Sequence, residues 1–359
     1  MVDHLSGSPA RQGAGAGAVL RRAILVSAVL ALGGVSRLAA QAPDVSGGIY
    51  LFQYQPVDLA GVEPRTEVYA AYVTLDRRTG PWTVHLQARA RDSKLRPFYP
   101  GTVWFQEAWL GFHLATPSGR RSVALRAGKI YQILGRFWDG SFFGNLQYFD
   151  GLKLNPQFGL EALGRTRAGP LGLSLAGQYI LASDRVSGAL AGRDFETLDG
   201  FRNRDGLGLR GTVSVAGATL GASFLSQGVD TAGIVHRMPH VALDAQYVRG
   251  SVTLYVEWTR RRAGSLPAAL QGSIPGSPAT WWLAGAQWTR GALHLRYNFS
   301  RSSYEALGRT EWIHQPGVTY DVATGVHALL EYDLWQTRVA GVTTTTDRSL
   351  DAVLLLEFR

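Results

Sequence analysis

WTVHLQARAR, residues 82–91, decides the fold. Trp82, Val84, Leu86, Ala88 and Ala90 fall on one face of an extended chain. Thr83, His85, Gln87, Arg89 and Arg91 fall on the other. Alternation with a period of two marks a strand with one apolar and one polar side. The same pattern returns in residues 252–260, 292–300 and 350–358. In the last of these, Leu350, Ala352, Leu354, Leu356 and Phe358 share a face.

A soluble sandwich alternates too, so the connections between strands have to separate the two architectures. Seven are tight, at residues 76–81, 116–120, 167–170, 216–217, 249–250, 290–291 and 323–325. Eight read as long, near 55–65, 92–101, 132–150, 182–205, 227–238, 261–279, 301–314 and 340–348. Long and tight alternate without a break, and fifteen connections join sixteen strands. Short turns on one side and longer loops on the other are the signature of a transmembrane up-and-down barrel. Lipid cannot hydrogen-bond a free strand edge, so a spanning sheet has to close on itself. The expected fold is therefore all-β, an antiparallel barrel of about sixteen strands over residues 41–359.

Aromatic residues gather near the strand ends, as expected for side chains at two membrane–water interfaces. Trp82, Tyr247 and Trp288 lie near tight turns. Trp104, Tyr179, Phe224, Trp258, Trp282 and Phe299 lie near long connections.

Residues 1–40 read as an address. Arg21 and Arg22 precede an apolar run from Ala23 to Val35, too short to span a bilayer comfortably, and small residues follow at Ala39, Ala40 and Ala42. This is the pattern of a secretory signal peptide with cleavage near 40–42. The expected location is the bacterial outer membrane, with its lipid as one partner.

Composition narrows the chemistry. The chain has no Cys, which removes disulfides and thiolate chemistry, and its eight His are scattered. No cofactor or metal is implied. The net charge of +9 falls to +6 beyond residue 40, where 32 basic and 26 acidic side chains remain. The arginines are dispersed and no nucleic-acid motif is present, so nucleic acid is not an expected partner. Gly206-Leu207-Gly208-Leu209-Arg210-Gly211 matches a dinucleotide-binding pattern, but it lies inside a strand and opens no helix.

With the apolar face toward lipid, the polar face lines the lumen. Arg89, Arg91, Arg126, Arg165 and Arg210, with Glu107, fall on strands three to eight. Asp244, Glu257, Glu331 and Asp333, with Arg296, fall on strands ten to sixteen. Basic groups thus collect on one arc and acidic groups on the other, a field that would bias ions in a water-filled channel. The third long connection, residues 132–150, is too aromatic for a hydrated loop. It is expected to fold inward as a constriction, with Arg136, Trp138, Asp139 and Asp150 near the narrowest point. The expected activity is diffusion of small hydrophilic solutes or ions, with a leaning toward anions.

Gln106-Glu107-Ala108-Trp109-Leu110-Gly111-Phe112, followed by Leu125-Arg126-Ala127-Gly128-Lys129-Ile130, resembles the phosphate-selective porin O and P family. The specific residues span about 106–145. The resemblance implies a sixteen-strand porin, a homotrimer, and an inward third loop. It does not carry phosphate selectivity, because the family's lysine-rich constriction is missing: only Lys94, Lys129 and Lys153 occur in the chain.

Two alternatives stay open at this level. Ser226, Asp230, His236 and His240 lie near the fifth long connection and could belong to a barrel hydrolase, although such a set is defined by geometry rather than by sequence. A closed structural or adhesive barrel would share every strand pattern described above.

Overall fold

The computed structural model describes residues 43–57, 63–90, 103–136, 146, 156–182, 202–231, 233–274, 276–340 and 342–359. The signal-peptide reading of residues 1–40 lies outside them, as do Arg91, Trp138, Asp139 and Asp150.

Sixteen strands follow in chain order. They are β1 (Asp44–Pro56), β2 (Arg65–Thr79), β3 (Trp82–Ala90), β4 (Val103–Ala115), β5 (Arg121–Ile130), β6 (Gln157–Ala168), β7 (Leu171–Ala182) and β8 (Arg202–Val215). Then come β9 (Ala218–Thr231), β10 (Ile234–Arg249), β11 (Val252–Arg261), β12 (Ala279–Arg290), β13 (Leu293–Tyr304), β14 (Arg309–Ala323), β15 (Val326–Val339) and β16 (Val342–Phe358). Each pairs antiparallel with its neighbours, and β1 pairs β16, so the sheet is a closed barrel without a free edge.

All seven tight turns fall where the sequence places them. Each holds a glycine in the left-handed region; at Ala216-Gly217 both residues do, with φ 48° and 85°. That pair has the backbone signs of a type I′ turn, whose twist matches the flanking strands.

Three of the connections read as long are short instead. β9 and β10 are separated by residues 232–233, β13 and β14 by 305–308, and β15 and β16 by 340–341. Their polar residues are strand, not loop. Val342-Thr343-Thr344-Thr345-Thr346 is rich in β-branched side chains, which suit an extended backbone. β16 has 17 residues and β10 has 16, whereas a tilted strand crosses the bilayer with about ten. The wall therefore continues above the membrane on this side. At β5 it has only 10 residues.

Direction within the wall follows from exposure. Leu110, Leu125, Leu160, Leu175, Leu243 and Leu254 are exposed on the outer face, and polar or charged residues alternate with them on the inner face. One expectation is corrected here. Trp104 is buried and turned inward, donating to Gln106 at 2.8 Å, rather than standing in the outer aromatic belt. The register between β3 and β4 shifts at Gln87/Ala88, opposite Glu107/Phe105. This bulge at Gln106 puts Gln106 and Glu107 on the same face and inverts the alternation above it.

Candidate functional site

The third connection leaves β5 at Ile130, and residues 131–136 and 146 of it are described. The Gln178 side chain on β7 holds its start, donating to the Tyr131 carbonyl at 2.7 Å and accepting from the Ile133 amide at 3.3 Å. Farther on, the Gly135 amide donates to Ser223 Oγ on β9 at 3.0 Å, and the Arg136 amide donates to the Glu257 carboxylate on β11. The Arg136 guanidinium reaches Gln246 on β10 at 3.0 Å and lies 4.0 Å over the Tyr255 ring. Gly135 is required at its place: φ is +59°, and a Cβ there would sit 2.5 Å from the Glu257 carboxylate.

An apolar cluster holds the same segment from above. Leu134 and Leu146 are buried with Ile180 on β7, Leu225 on β9, Trp281 on β12 and Ile313 on β14. The Leu146 amide donates to Ser300 on β13 at 3.3 Å. The connection between β11 and β12 adds a satellite cluster in which Leu266 packs on Val229 and Met238. Consequently the inner faces of β10 to β16 are largely covered. Glu257 and Glu331 are fully buried, and Asp333 nearly so.

The charged lumen residues divide accordingly. On the covered side, Glu331 pairs with Arg296, and Glu257 serves the loop amides and Thr259. On the other side, Arg126, Arg136, Arg165 and Arg210 line one cavity of about 550 Å³ together with Glu107, Glu161 and Asp244. Arg210 is bidentate to Asp244, at 2.6 and 2.8 Å, and also donates to Ser223 at 2.7 Å. Arg126 stands 3.6 Å from Glu161 and 4.7 Å over the Trp109 ring, and Trp109 in turn donates to Glu107 at 3.3 Å. Arg89 is the register partner of Tyr72 and donates to Gln87 at 3.1 Å.

The side chains suggestive of a hydrolase are engaged separately. Asp230 accepts from Arg204 and from the Gly233 amide. His236 contacts the Ser265 carbonyl, and His240 is fully buried against the Met238 carbonyl.

The family model for Gram-negative porins matches residues 119–338, more than half of the chain. The chain belongs to the Gram-negative porins. Similar solved structures include OmpF of Salmonella typhi in complex with daunomycin, 14% identical over 88% of this porin and 97% of that chain, with a TM-score of 0.64. The outer-membrane channel DcaP of Acinetobacter baumannii is 10% identical over 91% and 100%, with a TM-score of 0.62. An anion-selective porin from Comamonas acidovorans is 10% identical over 88% and 99%, with a TM-score of 0.55. No curated protein matches by sequence. The porin resides in the bacterial outer membrane and acts as a diffusion channel.

Arg126, Arg165 and Arg210 of this porin border the cavity, and the clamps on the third connection were missed in the sequence. Gln178, Ser223, Gln246 and Ser300 stand on the polar face of their strands. Their partner is a segment far away in sequence, and no local pattern names it.

Proposed function

We propose that the pore leans toward anions and that residues of the third connection form its constriction. The supporting observation is the imbalance in the cavity beneath that connection. Four arginines, Arg126, Arg136, Arg165 and Arg210, face three carboxylates, Glu107, Glu161 and Asp244. The acids of the opposite arc, Glu257 and Glu331, are buried and hydrogen-bonded. Glu331 is offset by its partner Arg296, whereas the cavity keeps one arginine in excess of its carboxylates beside the water-filled path. Arg89 extends the basic arc toward β2 in this reading.

Narrower kinship with the phosphate-selective porins rests on residues 106–112 and 125–130, and phosphate specificity is no part of it. Lys129, the lysine of that motif, is buried and donates to the Phe105 carbonyl at 2.6 Å, so it belongs to the wall. Small hydrophilic anions in general are the proposed solutes, and a homotrimer is the proposed assembly.

The test is single-channel conductance of the refolded porin under a KCl gradient. Replacing Arg126→Gln and Arg165→Gln together should move the reversal potential toward potassium while stepwise conductance persists. An unchanged potential in an open channel would remove the arginine argument and leave the pore standing.

A further inference from the structure

Four of the histidines lie within four residues of a tight turn and face the lumen: His85, His113, His294 and His327. They sit at the periplasmic end, because the short turns of such barrels are periplasmic. Three of them touch carboxylates. His294 Nε2 lies 2.9 Å from Asp321, and His327 Nδ1 lies 2.7 Å from the other oxygen of the same carboxylate. His327 Nε2 lies 3.4 Å from Glu357, which accepts from the Tyr72 hydroxyl at 2.6 Å. On β3, beside Tyr72's strand β2, His85 lies 2.7 Å from Asp76 and stacks on Trp109 at 4.9 Å.

From these contacts we infer that the periplasmic mouth carries a histidine–carboxylate belt that sets ion preference according to pH. The belt runs without a gap from Thr289 on β12 through His294, Asp321, His327 and Glu357 to Tyr72 on β2. It crosses β1 at Gly48, the register partner of both Glu357 and Tyr72, where the missing side chain lets the tyrosine reach over. His294, Asp321, His327 and Glu357 are each about one-third exposed, so mobile ions reach them.

The chemistry is a change in fixed charge. Imidazole gains its proton between about pH 8 and pH 5, while ordinary carboxylates stay ionised down to about pH 4. With its imidazoles neutral the belt carries the three negative charges of Asp76, Asp321 and Glu357; with them protonated, three positive charges offset these, and the arginines higher in the lumen dominate the field. The nearby cations do not neutralise the belt. Arg78 donates to His113 at 3.4 Å, Arg89 to Gln87 at 3.1 Å, Arg126 lies by Glu161 and Arg296 pairs with Glu331. Glu107, two residues beyond Trp109 on β4, accepts from that tryptophan. His113 faces Arg78, not a carboxylate, so it stands outside the belt.

The inference rests on the open-pore function and is tested by reversal potential under a KCl gradient at pH 7.5 and pH 5.5. The chloride-to-potassium permeability ratio should rise roughly twofold or more on acidification. The triple variant His85→Gln, His294→Gln and His327→Gln should lose that rise, and His113→Gln should keep it. Should the triple variant fail to fold, the single His294→Gln and His327→Gln variants carry the test, each with a reduced rise. A pH-indifferent wild-type channel overturns the belt, as does a full rise in the triple variant or in both single variants. A silent bilayer would instead count against the pore, which keeps the two failures apart.

Discussion

Gly285 shows how single residues lock this wall. It is the register partner of Tyr255 on one side and Asn298 on the other, and the Tyr255 hydroxyl donates across it to the Asn298 side chain. A Cβ at position 285 would lie 2.3 Å from the tyrosine ring. Gly48 repeats the device at the seam between the first and last strands, under Tyr72. On the lipid side of that seam the Phe358 ring lies over Gly47. Gly285→Ala is expected to cost about 1–3 kcal/mol by overpacking. It should lower the temperature at which the folded band converts to the unfolded one on unboiled gels. The same transition temperature as wild type would mean that the tyrosine has another rotamer to use. In the sequence, these glycines stand out only as breaks in strands; which tyrosine covers them is decided by register.

Among the elements, the third connection is the one on which the proposed constriction rests. Glu257 accepts the Arg136 amide and the Thr259 hydroxyl while fully buried, so it anchors the loop rather than lining open water. Removing its charge leaves the geometry but weakens the bond. A hydrogen bond to a charged group contributes about 1.5–3 kcal/mol. Glu257→Gln is expected to loosen the segment and broaden the open-channel current, with added fluctuations between conductance levels. Currents as quiet as wild type would show that the apolar cluster around Leu134 and Leu146 holds the loop unaided. The loop's aromatic composition pointed inward from the sequence alone. Its docking on the far wall did not show there, because Ser223, Gln246 and Glu257 come from three different strands far down the chain.

For the whole molecule, the unequal wall height bears on assembly. β10 and β16 extend well past the bilayer, whereas β5 is about as long as a single crossing requires. The low flank carries exposed Leu110, Leu125 and Leu160, and Trp82 packs on Phe112 at 4.8 Å. The trimer proposal predicts conductance increments in sets of three equal steps, and a crosslinked species at three times the chain mass. Single isolated steps with no crosslinked trimer would assign a monomeric pore.

The sequence by itself determined the class of fold, the number of strands and the site of every tight turn. These follow from local physics: a period of two, turn glycines, and the need of a sheet in lipid to close. It misread three connections as loops, because a strand rising above the bilayer loses its apolar face and with it the alternation. Only the tertiary structure decided that Glu257 and Glu331 are covered while Arg126 and Arg165 border a cavity, and that Asp321 lies between two histidines. Each of these depends on barrel register and on a loop held against the inner wall, which bring together residues that no local pattern connects.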